Sequence, residues 1–308
     1  MVSVVELHLS GLINVLVGLI TAPLLFGVIN RTKAVFAGRR GEPLLQPYYD
    51  LRRLLGKGAV YSRTATWVLV TGPIVGVAAM ITATAMMPLG GQPAFLTFSG
   101  DLLLFAYLLG LMRFFTILAA LDTGSSFEGM GASREATFSA LAEPTLFLAL
   151  GILAHSTGQL SLTGIFRNVT PDLWLKAGPV LAMLGVALFT VFLAENSRIP
   201  VDDPNTHLEL TMIHEVMVLD HSGPDFFLVL YGAALKMWVL GTLLVGIFIP
   251  VGAPWWGSVP AALGGMILLA VITGIVESIM ARLRLNRIPQ MLVGSTVLAA
   301  LALIMVLR

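Results

Sequence analysis

Apolar residues gather into eight runs near residues 11–30, 67–88, 101–121, 136–157, 176–194, 226–250, 259–281 and 290–307. Each is long enough to cross about 30 Å of hydrocarbon as a helix. Between the first two runs the pattern changes to LLQPYYDLRRLLGK, in which Leu44, Tyr48, Leu51 and Leu55 recur at helical spacing while Arg52, Arg53 and Lys57 fall elsewhere. Gln46 and Pro47 make a helix start, because proline is tolerated at the first helical position. This spacing predicts an amphipathic helix lying in the headgroup region, its bases toward anionic lipid. An ordinary basic loop helix is the plainer alternative.

Composition agrees with a polytopic membrane protein. Hydrophobic residues make up 57% of the chain and charged residues 11%, with a mean hydropathy of +0.90. No repeat or linker divides it, so the expectation is an all-α bundle in one integral membrane domain, residues 1–308. Thirteen Lys and Arg residues fall on one side, from Arg31 to Arg63 and at Arg134, Arg198, Arg282, Arg284 and Arg287, against three on the other, Arg167, Lys176 and Arg308. The positive-inside rule places the basic side in the cytoplasm of a cell (inner) membrane and both termini outside. The first run lacks a basic leader and a small-residue cleavage site, so it reads as a retained helix. Without cysteine the chain holds no disulfide and no thiolate-ligated cluster. Any redox centre belongs to another subunit, and no nucleic-acid partner is expected.

Charges at membrane depth carry the candidate chemistry. From Glu195 to Asp225 the basic side has seven carboxylates (Glu195, Asp202, Asp203, Glu209, Glu215, Asp220 and Asp225) against one base, Arg198. Such a field suits partner docking or proton collection. In LDTGSSFEGMGASREATFSALAEP, Gly129 and Gly131 read as a break, Ser133 as a cap and Glu135 as a first-turn acid on the helix dipole. Glu143, eight residues on and near the same face, lies about 12 Å further into the membrane, too far for direct transfer from Glu135. Arg113, Lys236 and Glu277 share its depth; a buried Arg113–Glu143 pair and a snorkelling Lys236 are the structural alternatives. His155 reads as an outer-interface residue. His207, His214 and His221 recur every seven residues, about 10 Å apart on a helix, so no shared metal is expected. Val218 stands where a zinc-protease motif needs its second histidine.

QPYYDLRRLLGK, GASREATFSALAEP and AENSRIPVDDPNTHLELTMIHEVMVLDHSG together resemble the membrane subunit shared by respiratory complex I and the energy-converting [NiFe] hydrogenases. The likeness runs nearly end to end. The third motif is similar to the formate hydrogenlyase and hydrogenase-4 branch. Ile199, Val201 and the Leu219-Asp220-His221 run before Ser222-Gly223 depart from the pattern of the quinone-reducing branch.

The resemblance implies a membrane anchor and coupling subunit with no catalytic residue of its own. Its expected partners are hydrogenase large and small subunits, an iron–sulfur subunit and antiporter-like membrane subunits, with the [NiFe] centre and iron–sulfur clusters in those partners. It assigns Glu135, Glu143, Glu195, Asp202, Asp203, Glu209 and Glu215 to a proton pathway, to which the membrane-depth charges Arg113, Lys236 and Glu277 are added as ionisable groups of the bundle interior. Arg198, Asp202, Asp203, His207, His214 and Asp220 fall to partner docking. A quinone-binding subunit of a proton-pumping NADH:quinone oxidoreductase stays open as the alternative, and an autonomous transporter is disfavoured by the missing repeat.

Overall fold

A computed structural model describes residues 4–202, 212–249 and 255–307. The expected all-α architecture is present. The described residues form ten α-helices: α1 (Val4–Phe36), α2 (Gln46–Leu55), α3 (Trp67–Met86), α4 (Asp101–Asp122), α5 (Ser126–Thr157), α6 (Leu162–Asn168), α7 (Pro171–Glu195), α8 (Gly223–Phe248), α9 (Trp255–Ile279) and α10 (Ile288–Val306). Eight of these are long and apolar enough to cross a membrane, and their places match the eight hydrophobic runs. In lipid only helices and closed barrels satisfy the backbone, which is why hydropathy alone locates the spans.

α8 is the central helix. It packs on α3, α1, α2, α9 and α7, and its residues from Ala234 to Leu244 are all buried. α3 lies against α4 as well as α8, while α10 is held by α5 and α7, and α9 by α1. Short polar clamps fix the helix ends. Asp122 accepts the Thr66 backbone N–H and hydroxyl, each at 2.7 Å, which pins α3 to the end of α4. On the opposite side Asp101 accepts the Leu162 N–H at 2.7 Å and caps the short helix α6, which hydropathy does not mark. His155 is exposed near the end of α5.

Two local expectations change. α5 begins at Ser126, ten residues before the expected 136, and passes through Gly129, Gly131 and Ser133 without a break. Gly131 serves close packing: a Cβ there would sit 2.3 Å from Val216 Cγ1 and 2.9 Å from the Ile213 carbonyl. The segment is polar yet helical because it packs on the basic-side loop, not on lipid. α2 starts at Gln46 as predicted, with Leu51 buried, but Leu44 and Leu55 are exposed. Its inner face is made by Tyr48, Leu51 and Leu54.

Candidate functional site

Arg113 stands in the otherwise apolar α4 and is 8% exposed. A guanidinium presents five N–H donors in a rigid fork, and here one fork engages three carboxylates. Nη2 donates to Glu195 Oε1 at 2.5 Å, Nη1 donates to Glu143 Oε1, and Nε lies 3.6 Å from Glu135 Oε1. Lys236, midway along α8, places Nζ 2.7 Å from the other Glu195 oxygen and does not snorkel. Glu135 also accepts the Ser139 hydroxyl at 3.1 Å. Glu135 and Glu143, held apart by about two helical turns, are therefore bridged by the Arg113 side chain.

The chain of charges continues into the loop after α7. His214 sets Nε2 2.9 Å from Glu135 Oε2 and Nδ1 3.5 Å from Asp202 Oδ2. Asp202 in turn accepts the backbone N–H groups of Ile213 and His214 at 3.1 Å each and meets Arg282 at 2.9 Å. Burial alone would lower the His214 pKa, but the Glu135 and Asp202 carboxylates outweigh it and raise the pKa to about 9. His214 is therefore an imidazolium at neutral pH. Burial acts to raise the Asp202 pKa, yet His214 and Arg282 bring it below the usual carboxylate value.

Beside this network lies a triad whose members are scattered in the sequence. Glu277, on α9, meets Lys33 at 2.8 Å and Arg198 at 3.2 Å, and the Arg198 guanidinium sits 4.7 Å over the Phe26 ring. A cavity of about 200 Å³ separates the two clusters, walled by Phe26, Met112 and Val229 and by Arg113, Glu135, Glu195, Arg198, Glu215 and Lys236.

Seven of the expected pathway residues thus converge: Arg113, Glu135, Glu143, Glu195, Asp202 and Lys236 form one network, and Glu215 lines the cavity next to it. Glu277 belongs to the neighbouring triad. Of the residues assigned to docking, Arg198 and Asp202 are 4% and 2% exposed and His214 spans Glu135 and Asp202. These side chains hold the loop to the bundle. Asp220 is exposed, and its backbone N–H donates to Glu128 at 3.0 Å. Asp203, His207 and Glu209 lie outside the described residues.

Sequence reasoning missed Lys33 and Arg282 as network members, since both counted only toward topology, and it missed the buried Glu128. The clue to Glu128 was a carboxylate in the first turn of a helix of small residues facing the loop.

The sequence profile of the family described as NADH dehydrogenase matches residues 10–308. The chain belongs to this family. Within the NADH dehydrogenase family it is 34% identical over 294 residues to formate hydrogenlyase subunit 4 of Escherichia coli K12, covering 92% of this chain and 93% of that protein. It is 31% identical over 290 residues to hydrogenase-4 component C of the same organism, covering 90% and 88%. An NADH-quinone oxidoreductase subunit of Polaromonas sp. JS666 is 25% identical over 248 residues, covering 74% and 67%. Among solved structures, a chain of the membrane-bound sulfane sulfur reductase, an archaeal respiratory membrane complex, superposes with a TM-score of 0.81 at 21% identity. That superposition covers 97% of this chain and 99% of the other, and shows a shared fold. The chain is a multi-pass membrane protein whose relatives serve in multisubunit membrane complexes.

Proposed function

We propose that this protein is the membrane anchor and coupling subunit of a multisubunit energy-converting [NiFe] hydrogenase complex. It docks a cytoplasmic redox arm and links that arm's electron transfer to movement of protons or Na⁺. The observation that carries the reading is the continuous chain Arg282–Asp202–His214–Glu135–Arg113, which enters the bundle from the basic-side loop and ends at Glu195 with Lys236 and at Glu143. Buried ionisable groups in a membrane bundle are costly, and alternating acids and bases are the parts of proton relays. The Glu143 side chain is 44% exposed on the flank of the isolated bundle, where an adjoining antiporter-like subunit would receive the charge. The positive-inside bias supports a basic face in the cytoplasm and outer termini. The [NiFe] centre and iron–sulfur clusters would reside in the hydrogenase and iron–sulfur subunits. Two relatives more than 30% identical are named as a formate hydrogenlyase subunit and a hydrogenase-4 component, and this favours a hydrogenase over a quinone-reducing partner. The central cavity is also smaller than the about 300–1,000 Å³ of common ligand pockets.

The test replaces Glu143 or Glu135 by Gln in the reconstituted complex. Each change keeps side-chain shape and removes one charge. The expected result is an assembled complex that turns over hydrogen with a soluble dye but no longer couples turnover to an ion gradient. Unchanged coupling in both assembled variants would reduce the network to a structural role.

A further inference from the structure

A second, smaller cavity of about 30 Å³ lies between α3, α4 and α8, beneath His221. Gly72 and Gly76 on α3 and Gly232 on α8 leave it open where larger residues would fill it. A water needs about 10–15 Å³ of such space, so the cavity is large enough to hold at least one. Met112, Thr116, Val218 and Val229 wall both this cavity and the central one. A single layer of side chains therefore separates His221 from the space that Glu135 and Glu195 face.

His221 is 8% exposed, and neither ring nitrogen makes a well-formed hydrogen bond within the described residues. Its polar neighbours are the Leu69 carbonyl and the Asp225 and Asp220 carboxylates. Leu69 is four residues before Pro73 in α3. Proline has no N–H to donate, so the carbonyl that would accept it inside the helix stays available to the cavity. Buried polar groups are nearly always hydrogen-bonded, and water serves where the chain does not. Toward the surface, the half-exposed Tyr61 hydroxyl meets the Asp225 carboxyl, itself 6% exposed.

We infer that a second, hydrated inlet carries protons from the basic-side surface past Tyr61 and Asp225 to His221, and from there through the small cavity to the Arg113 network. This rests on the coupling function proposed above and adds an entry that does not pass through His214 and that carries most of the proton flux. A surface-side water carrying an excess proton from bulk gives that proton to one ring nitrogen of His221 and is left as neutral water. The other nitrogen releases its proton to a water in the cavity, and the neutral ring then returns to its first tautomer with no net change. Burial pushes the His221 pKa below its ordinary value, with Asp225 and Asp220 acting against that. At neutral pH the ring is thus a neutral acceptor. α3 and α4 add no ionisable side chain to the cavity wall.

Three variants of the complete complex in proteoliposomes test the inlet. Gly76→Val plugs the cavity without touching a titratable group; a Cβ at Gly76 lies 3.5 Å from Met112 Cγ, an ordinary contact, so the first side-chain carbon fits without strain. His221→Ala removes the relay and leaves room for free imidazole. Glu135→Gln is the control for the network itself. Proton uptake coupled to hydrogenase turnover should fall about tenfold or more in Gly76→Val and His221→Ala. Added imidazole should restore His221→Ala and leave Gly76→Val impaired, an outcome that a purely structural role for His221 would not give. If Glu135→Gln loses coupling while Gly76→Val keeps it, the inlet is wrong and the coupling function stands. If Glu135→Gln keeps coupling, and Glu143→Gln keeps it too, the network reading itself fails. Should His221→Ala not assemble, Gly76→Val alone decides.

Discussion

Arg113 satisfies three acidic side chains with one guanidinium, so its loss would strand more charge than a single pair. Breaking a buried ion pair from one side costs about 3–5 kcal/mol. Arg113→Ala should therefore lower the midpoint of thermal unfolding sharply or prevent assembly, whereas Arg113→Lys, which keeps the charge and loses the fork, should fall between. The His214 imidazolium makes a different prediction, one of pH. Its folded pKa of about 9 stands above the ordinary 6.5, so its stabilisation is complete below about pH 6.5 and is lost as pH rises toward 9. Thermal stability measured across that interval should decline, and His214→Gln should flatten the decline. Arg113 and Glu143 were legible in the sequence because charge within an apolar run is conspicuous. The inward turn of Asp202 and His214 was not, since a polar loop reads the same whether its side chains face water or a buried arginine.

α5 shows where helix boundaries escape hydropathy. Residues Ser126 to Arg134 are too polar to read as a span, yet they continue the helix because Glu128, Gly131 and Glu135 are buried against the loop. Gly131→Val would drive a side chain into Val216 and the Ile213 carbonyl; overpacking of this kind costs about 1–3 kcal/mol. The expected outcome is loosened attachment of the short 3₁₀ helix Glu215–Val218, seen as faster protease cleavage in the loop with the spans intact. α2 offers a cleaner case, because its proline start and its bases were both visible from sequence. Single cysteines introduced from Tyr48 to Lys57 into this cysteine-free chain should label with a water-soluble maleimide at a helical period. Protection should centre on Tyr48, Leu51 and Leu54, and uniform labelling would remove α2 from the interface.

At the scale of the whole molecule, eight spans were readable because crossing lipid demands length and apolarity and little else. Which helices touch was not readable: α9 and α10 follow each other in sequence but pack on different partners, α1 and α8 for one, α5 and α7 for the other. The network at their centre has a property that appears only when its members are taken together. With His214 protonated, Arg113, Lys236, Arg282 and His214 supply four positive charges against the four negative ones of Glu135, Glu143, Glu195 and Asp202. At rest, then, the transmembrane voltage finds no net charge to pull on. One extra proton changes that, since the voltage does work of about 2.3 kcal/mol per 100 mV on a charge carried across the full membrane. Diffusion potentials imposed on proteoliposomes should leave assembly untouched and slow coupled turnover as the opposing voltage grows, making the network electrically silent until the moment it works.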